Sequence, residues 1–156
     1  MKIGFYPGSF DPFTNGHLAV VKKSLKVFDK VIIAIGTNSK KERRFDKEFM
    51  KETIEKTLIS EGLENVQVIC FEGLAFKEAL KHNSTFIVKG IRNGMDYEDE
   101  EAQATNNDRI GGIDTIYIRS GDLGIISSSM VMELLKWDED VSKFIPKVVL
   151  EAITKK

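Results

Sequence analysis

The sequence predicts an α/β protein built on a doubly wound sheet of five parallel strands. Five short runs rich in Ile and Val are mostly apolar throughout, as in strands that are covered on both faces of a parallel sheet. Helical apolar patterns lie between these runs, which favours strand–helix–strand units with right-handed crossovers. Ligands of such sheets bind beyond the carboxyl ends of the strands, so motifs that follow strands are the candidates for function.

The predicted elements alternate along the whole chain. The strands are residues 2–6, 31–35, 66–71, 85–88 and 115–118. Six helices are predicted between and after the strands. Apolar spacing predicts a first helix with Leu18, Val21, Leu25 and Phe28, a second with Phe49, Thr53 and Leu58, and a short third at residues 74–80. A polar helical segment follows at about 97–109, and apolar spacing predicts two last helices, one with Met130, Val131, Leu134 and Leu135 and one with Val148, Val149, Ala152 and Ile153.

Length, charge and cysteine content limit the classes of protein. The 156 residues fit a single domain spanning 1–156, with no repeat and no flexible linker. The net charge of −1 gives no reason to expect binding to nucleic acid or membranes. The apolar runs are too short to span a bilayer, and the start shows no signal-peptide pattern. A single cysteine, Cys70, excludes an intrachain disulfide, favours the cytoplasm and is interpreted as a buried structural thiol.

The segment GSFDPFTNGH, residues 8–17, directly follows the first predicted strand and enters a helix. Thr14 or Asn15 is suited to cap that helix, whose unpaired first-turn N–H groups and positive dipole can bind an anion. Gly16 allows a ligand to approach the backbone, and His17 can direct a ring N–H at a phosphate oxygen. A capped helix with a surface histidine is the structural alternative.

A second motif, Ile126-Ser127-Ser128-Ser129, precedes another predicted helix. Serines at a helix start are caps first, yet their hydroxyl and amide groups can also donate hydrogen bonds to phosphates.

These two motifs carry a resemblance. Thr14-x-Gly16-His17 and ISSS resemble the two signatures of the T/HxGH nucleotidyltransferase superfamily, and YPGSFDPFTNGH is similar to the opening of its bacterial phosphopantetheine adenylyltransferase family. The resemblance covers essentially the whole chain. It implies a Rossmann-like fold and transfer of AMP from ATP to 4'-phosphopantetheine, which yields dephospho-coenzyme A and pyrophosphate.

The resemblance also assigns two cationic segments. Lys89-Gly90-Ile91-Arg92 follows the fourth predicted strand and resembles the family's Arg-Gly-Leu/Ile-Arg pattern, with Lys89 in place of the first arginine. Lysine keeps the charge but loses the planar two-pronged grip on phosphate. In the charged run after the second strand, Lys41 matches the family residue that positions the substrate phosphate, although such runs are usually solvated loops.

The remaining site residues are implied by the family alone. Glu100 matches an acidic nucleotide-binding position, Ala75 matches the loop that lines the pantetheine arm, and Met132 stands where relatives often carry a basic residue. The resemblance implies His17, Lys41 and Arg92 as catalytic residues and Ser9, Lys41, Ala75 and Lys89 as substrate-binding residues. The implied ATP-binding set is Ser9, Phe10, Gly16, His17, Gly90, Ile91, Arg92, Glu100, Leu123, Gly124, Ile125, Ile126, Ser127, Ser128 and Ser129.

We find no nucleophile–base pair and no cluster of metal ligands in the sequence. That fits this chemistry, because an ionised phosphate attacks without a base and the protein need only position two anions. Mg²⁺ is expected to arrive with ATP rather than in a dedicated protein cage.

Three alternatives remain open at this point. The chain could instead be a nicotinate mononucleotide adenylyltransferase, a cytidylyltransferase, or a non-catalytic nucleotide-binding module on the same fold. The family further implies a homohexamer and feedback inhibition by coenzyme A.

Overall fold

The computed structural model describes residues 1–36, 42–92 and 103–155, and five strands within them form one parallel sheet. The strands are β1 (Ile3–Gly8), β2 (Lys30–Ile35), β3 (Val66–Cys70), β4 (Phe86–Ile91) and β5 (Thr115–Arg119). Their order is β3-β2-β1-β4-β5. The chain therefore winds outward from β1 to β3 and then crosses to the other side of β1. This confirms the predicted doubly wound sheet.

Helices connect the strands. They are α1 (Asn15–Ser24), α2 (Lys47–Ser60), α3 (Ala75–Lys81), α4 (Ser128–Lys136) and α5 (Lys147–Thr154), with a π-helical turn at Asn107–Gly111 and a 3₁₀ turn at Gly121–Ile125. The predicted helix at about 97–109 lies largely outside the described residues, although 103–106 are helical. Among the residues that the structure describes, no helix is long and apolar enough to cross a membrane.

The central strands β1 and β2 are buried on both faces, as their apolar runs predict, whereas the edge strands β3 and β5 are mostly half-buried. In β2, Ile33 and Ile35 pack into the main core beside α1 and α2, while Ile32 and Ala34 pack into a smaller cluster with Phe5 and Phe76. Each of these β2 side chains is at most 1% exposed. Full burial of such aliphatic side chains stabilises the fold by roughly 1.5–3 kcal/mol each.

Several predicted boundaries were wrong, among them the ends of α1, β4 and β1. Helix α1 ends at Ser24, so Phe28 lies outside it, and its ring covers Gly4, where a Cβ atom would lie 2.6 Å from the ring. Strand β4 continues to Ile91, because it stays paired with β5 up to Ile91 and Arg119. The KGI of the cationic motif thus ends the strand instead of following it. Strand β1 likewise continues to Gly8, which pairs with Ile35.

The single cysteine lies at the end of β3. Cys70 packs against the main core, as its apolar surroundings predict, but it is half-buried and not buried as expected. Burial, together with the neighbouring Glu48 carboxylate, raises the pKa of its thiol, so the thiol remains protonated at neutral pH.

Candidate active site

Two adjoining cavities, of about 750 and 430 Å³, open at the carboxyl edge of the sheet. Both are bordered by the loop after β1, by Lys89 of β4 and by the start of α4; the shared residues are Pro7, Gly8, Ser9, Lys89, Ser127 and Ser128. Strand β1 pairs with β2 on one side and β4 on the other, so the cavities lie where the winding of the sheet reverses. Their volumes suit a small-molecule ligand.

Most of the residues predicted for the site lie together here. Those that line one or both cavities are Ser9, Phe10, Gly16, His17, Lys89, Gly90, Arg92, Ile126, Ser127, Ser128 and Ser129. They come from segments more than 100 residues apart in the sequence, and the parallel sheet brings them to one edge.

Two reciprocal hydrogen bonds between Thr14 and His17 cap the start of α1. The Thr14 side chain caps α1 by accepting from the backbone N–H of His17, at 3.3 Å. The backbone N–H of Thr14 in turn donates to Nδ1 of the His17 ring, at 2.9 Å. Histidine therefore takes the place that glutamate or glutamine usually occupies in a capping box.

This arrangement sets the protonation state of His17. Because Nδ1 accepts a hydrogen bond, the neutral ring carries its proton on Nε2. Burial, with a further contribution from the positive charge of Arg92, lowers the pKa of His17 from 6.5 to about 4. At neutral pH the ring is thus an uncharged donor in the wall of the smaller cavity.

Two aromatic rings hold the imidazole in place. The ring of Phe10 meets it edge-on at 4.9 Å between centroids, and Phe13 lies at 5.6 Å. Phe10 has a φ of +46°, which a bulky residue rarely adopts, yet its side chain is only 1% exposed. Such a conformation costs about 1–3 kcal/mol and is retained only where surrounding contacts stabilise it.

The three serines at the second helix start make three different contacts. The Ser127 side chain caps α4 by accepting from the backbone N–H of Met130, at 3.1 Å. The Ser128 hydroxyl donates to the Pro12 carbonyl, at 2.7 Å. Ser129 is exposed and accepts from the guanidinium of Arg44, at 3.1 Å. Helix α4 begins at Ser128, so Ser128 and Ser129 belong to its first turn instead of preceding it as expected.

Gly16 lets the two helix starts lie side by side. A Cβ atom at Gly16 would lie 3.3 Å from the Leu123 carbonyl oxygen and 3.7 Å from that of Ile126. The first turns of α1 and α4 therefore present their N–H groups to neighbouring parts of one crevice.

Cations dominate the described walls of the cavities. Lys89 and Arg92 come from β4 and its end, and Arg43 and Arg44 come from the loop after β2. The acidic residues on the described walls are Asp11, which pairs with the loop after β2, and Glu42. Two helix starts, four cations and a neutral imidazole donor form a site for a ligand with several anionic groups.

Comparison with known proteins identifies the family. Residues 5–134 match the cytidylyltransferase-like family model. The phosphopantetheine adenylyltransferase of Cytophaga hutchinsonii is 42% identical over 147 residues, which cover 93% of this chain and 97% of that protein. The enzyme of the same name from Alkaliphilus metalliredigens is 36% identical over 100% of this chain and 99% of its own.

The chain belongs to the phosphopantetheine adenylyltransferase family. A solved structure, the bifunctional NMN adenylyltransferase/ADP ribose pyrophosphatase of Francisella tularensis, has a TM-score of 0.70 at 19% identity and covers 94% of this chain and 45% of its own. At that identity the likeness supports the Rossmann-like fold alone.

Some residues that the family resemblance implies lie elsewhere. Leu123 and Gly124 do not line either cavity, although they lie against Gly16 and Arg92 respectively, which do. Ile91 is the last residue of β4, and Ile125 is 76% exposed. Ala75 packs against the smaller core cluster, and the larger cavity is lined by Phe71 and Gly73 instead. Met132 packs against the main core. Lys41 and Glu100 lie outside the described residues.

Three charged residues of this phosphopantetheine adenylyltransferase homologue were missed by sequence reasoning. Asp11 is 6% exposed, and its carboxylate accepts from the backbone N–H groups of Arg44 and Phe45, at 2.7 and 2.9 Å. The Arg43 side chain donates to the Ser9 carbonyl, at 2.7 Å, and lies 3.7 Å from the Asp11 carboxylate. Arg43 and Arg44 belong to a charged run of the kind that is usually a solvated loop. The only local signal was their position after a strand.

Proposed function

We propose that this protein transfers the AMP group of ATP to 4'-phosphopantetheine, which gives dephospho-coenzyme A and pyrophosphate. The proposal draws on its family membership, since its relatives are named phosphopantetheine adenylyltransferases. One structural observation supports it most strongly. The Thr14 backbone fixes His17 as a neutral Nε2–H donor beside an anion-binding crevice.

The reaction needs no base. A phosphate oxygen of 4'-phosphopantetheine attacks the α-phosphorus of ATP, the bond from that phosphorus to the bridging oxygen breaks, and pyrophosphate leaves with the electron pair. Negative charge grows on the α-phosphate oxygens at the pentavalent stage. A donor that is already in position there stabilises the transition state more than the ground state.

The proposed role of His17 follows from its ring geometry. Its Nε2–H donates to an α-phosphate oxygen while Nδ1 remains bound to the Thr14 backbone. A charged imidazolium would lose that second bond, so the lowered pKa keeps the ring in the form that both contacts require.

The other roles divide the anions between two groups of residues. Lys41, Lys89 and Ser9 hold the attacking phosphate, whereas Arg92 and the α4 start hold the phosphates of ATP, with Mg²⁺ as part of the nucleotide complex. Lys89 and Ser9 border both cavities, as do Ser127 and Ser128 at the α4 start, and this supports a site in which the phosphates of the two reactants meet.

The test is to incubate the protein with ATP, Mg²⁺ and 4'-phosphopantetheine and to measure dephospho-coenzyme A by mass spectrometry together with pyrophosphate. We expect both products in equal amounts, and about 100- to 1,000-fold slower formation of both with His17→Ala at matched concentration. Parallel reactions with nicotinate mononucleotide, and with CTP in place of ATP, test the other transferase activities. ATP binding without pyrophosphate release would instead support a non-catalytic module.

We also propose, from the family resemblance, a homohexamer in the cytoplasm that is inhibited by coenzyme A. Light scattering at assay concentration tests the assembly. Initial rates with added coenzyme A test the inhibition, which we expect to be competitive with 4'-phosphopantetheine.

A further inference from the structure

The loop after β2 is fixed to the loop after β1 by a buried carboxylate. Asp11 receives two backbone N–H groups of the loop, at Arg44 and Phe45. Arg43 reinforces this connection, because its side chain donates to the backbone carbonyls of Ser9 and Phe45, at 2.7 and 2.8 Å. Asp11 and Arg43 thereby determine where Arg44 stands.

The guanidinium of Arg44 is held across the mouth of the larger cavity. Its Nη1 donates to the Asp11 carbonyl, at 2.8 Å, and its Nη2 donates to the Ser129 hydroxyl, at 3.1 Å. An exposed arginine usually loses considerable side-chain freedom when it binds a ligand. Here much of that freedom is already lost before any ligand arrives, so a phosphate would meet a charge that is already in position.

The contact with Ser129 leaves both groups able to bind an anion. The Arg44 guanidinium has five N–H donors. Its hydrogen bonds to Asp11 and Ser129, the two that it makes within the described residues, use two of these donors. Ser129 accepts from Arg44, so its own O–H is available for donation. Both residues line the larger cavity beside the first turn of α4, whose backbone N–H groups add positive potential.

We propose that Arg44 is a phosphate-binding residue of this site, which acts with Ser129 on the pyrophosphate end of bound ATP. The inference rests on the proposed adenylyl transfer for the identity of the ligand. Of the two adjacent arginines of this loop, it assigns ligand binding to Arg44, whereas Arg43 and Asp11 position Arg44. The charge of Arg44 would stabilise the leaving pyrophosphate and would act equally on pyrophosphate in the reverse reaction.

The experiment compares Arg44→Ala and Arg44→Lys with Arg109→Ala, a matched control at an exposed arginine outside both cavities. Loss of a hydrogen-bonded charge predicts that the KM for ATP and the KM for pyrophosphate rise about 10- to 100-fold in Arg44→Ala. The KM for 4'-phosphopantetheine should change less than about 2-fold, because the proposal places Arg44 on the other reactant. Arg44→Lys should fall in between, since it retains the charge without the fork.

Calorimetric binding of pyrophosphate to each variant provides a readout that does not depend on turnover. If the wild type forms no dephospho-coenzyme A, the proposed reaction fails, while weaker pyrophosphate binding by Arg44→Ala would still support the anion site. Unchanged pyrophosphate affinity in Arg44→Ala would overturn the inference. An equal rise in the KM values of both substrates together with a lower Tm would also overturn it, because that result means that Arg44 only supports the loop.

A double-mutant cycle with Ser129→Ala tests the pairing itself and provides a second route if Arg44→Ala folds poorly. If the two residues bind the same phosphate, the loss of pyrophosphate affinity in the double mutant should be clearly smaller than the product of the losses in the two single mutants. Fully multiplicative losses would show that Arg44 and Ser129 bind independently and would overturn the paired site.

Discussion

Helices α1 and α4 both begin at the crevice, but their first turns are built differently. At α1, one side chain closes the cap and faces the cavity, since His17 accepts from Thr14 through Nδ1 and carries its proton on Nε2. At α4, Ser127 caps the helix while Ser129 is left exposed beside Arg44. At α1 one residue, His17, thus both completes the helix cap and faces the ligand site, whereas at α4 these two roles belong to different serines. Substitutions at the two helix starts should therefore differ in whether stability and activity change together.

The largest effect is expected at His17. His17→Ala removes the donor to the α-phosphate and should lower kcat about 100- to 1,000-fold, while the Kd for ATP changes far less. It also removes half of the capping box, so the free energy of unfolding should fall by about 1 kcal/mol. Steady-state kinetics, ATP calorimetry and thermal unfolding measure the three quantities.

His17→Gln is the matched control, because glutamine is a normal capping-box residue at this position. It should restore most of the stability that alanine loses, without restoring turnover. If His17→Ala loses ATP affinity and kcat by the same factor, the transition-state role of His17 is wrong.

Lys89 borders both cavities. Lys89→Ala should lower kcat/KM for 4'-phosphopantetheine about 10- to 100-fold, as expected for loss of a charge-assisted hydrogen bond. Lys89→Arg should retain activity, since relatives carry arginine there by the resemblance above. Loss of turnover in Lys89→Arg would mean that this chain uses Lys89 differently.

The two capping residues provide a direct comparison of stability. Thr14→Ala and Ser127→Ala each remove a side-chain cap and should lower the free energy of unfolding by about 0.5–2 kcal/mol. In Thr14→Ala the backbone N–H of residue 14 still holds the His17 ring, so kcat should fall less than 10-fold. A kcat loss as large as that of His17→Ala would show that the threonine hydroxyl, and not the backbone, positions the ring.

The smallest expected effect is a pH dependence of the free energy of unfolding that arises from His17 in α1. The pKa of His17 is lowered in the folded protein, so between about pH 4 and 6.5 the unfolded chain binds more protons at this residue. The stabilising contribution of neutral His17 is therefore complete above pH 6.5 and decreases as pH falls toward 4. Thermal unfolding of wild type and His17→Gln across this range should diverge at low pH, and parallel curves would contradict the assignment.

The sequence predicted the fold and the position of the site for the same physical reason. Parallel strands bring their carboxyl ends to one edge, so GSFDPFTNGH and ISSS could be placed together once each was seen to follow a strand. Residue type and position also limited the cap of α1 to Thr14 or Asn15, and the structure shows that Thr14 is the cap. Boundaries were less certain, because the ends of β1 and β4 depend on pairing with neighbouring strands and not on their own residues.

Contacts between the loops could not be predicted in this way. Arg44 and Ser129 are 85 residues apart, and Asp11 and Phe45 are 34 apart. Nothing in the local pattern of the charged run distinguishes a guanidinium that is fixed across the crevice from one that is solvated. Likewise, the sequence places His17 at a helix start, but only the geometry shows that its ring closes the cap.

The central claim is that His17 is a neutral Nε2–H donor aimed at the α-phosphate. Nitrogen-15 NMR of the imidazole rings tests it directly, and His82, the other histidine of the chain, provides an internal reference that His17→Gln assigns. We predict an Nε2–H tautomer for His17 from pH 5.5 to 8, with a shift of the Nε2 resonance when ATP binds. A ring that titrates near pH 6.5, or one that carries its proton on Nδ1, would contradict the account.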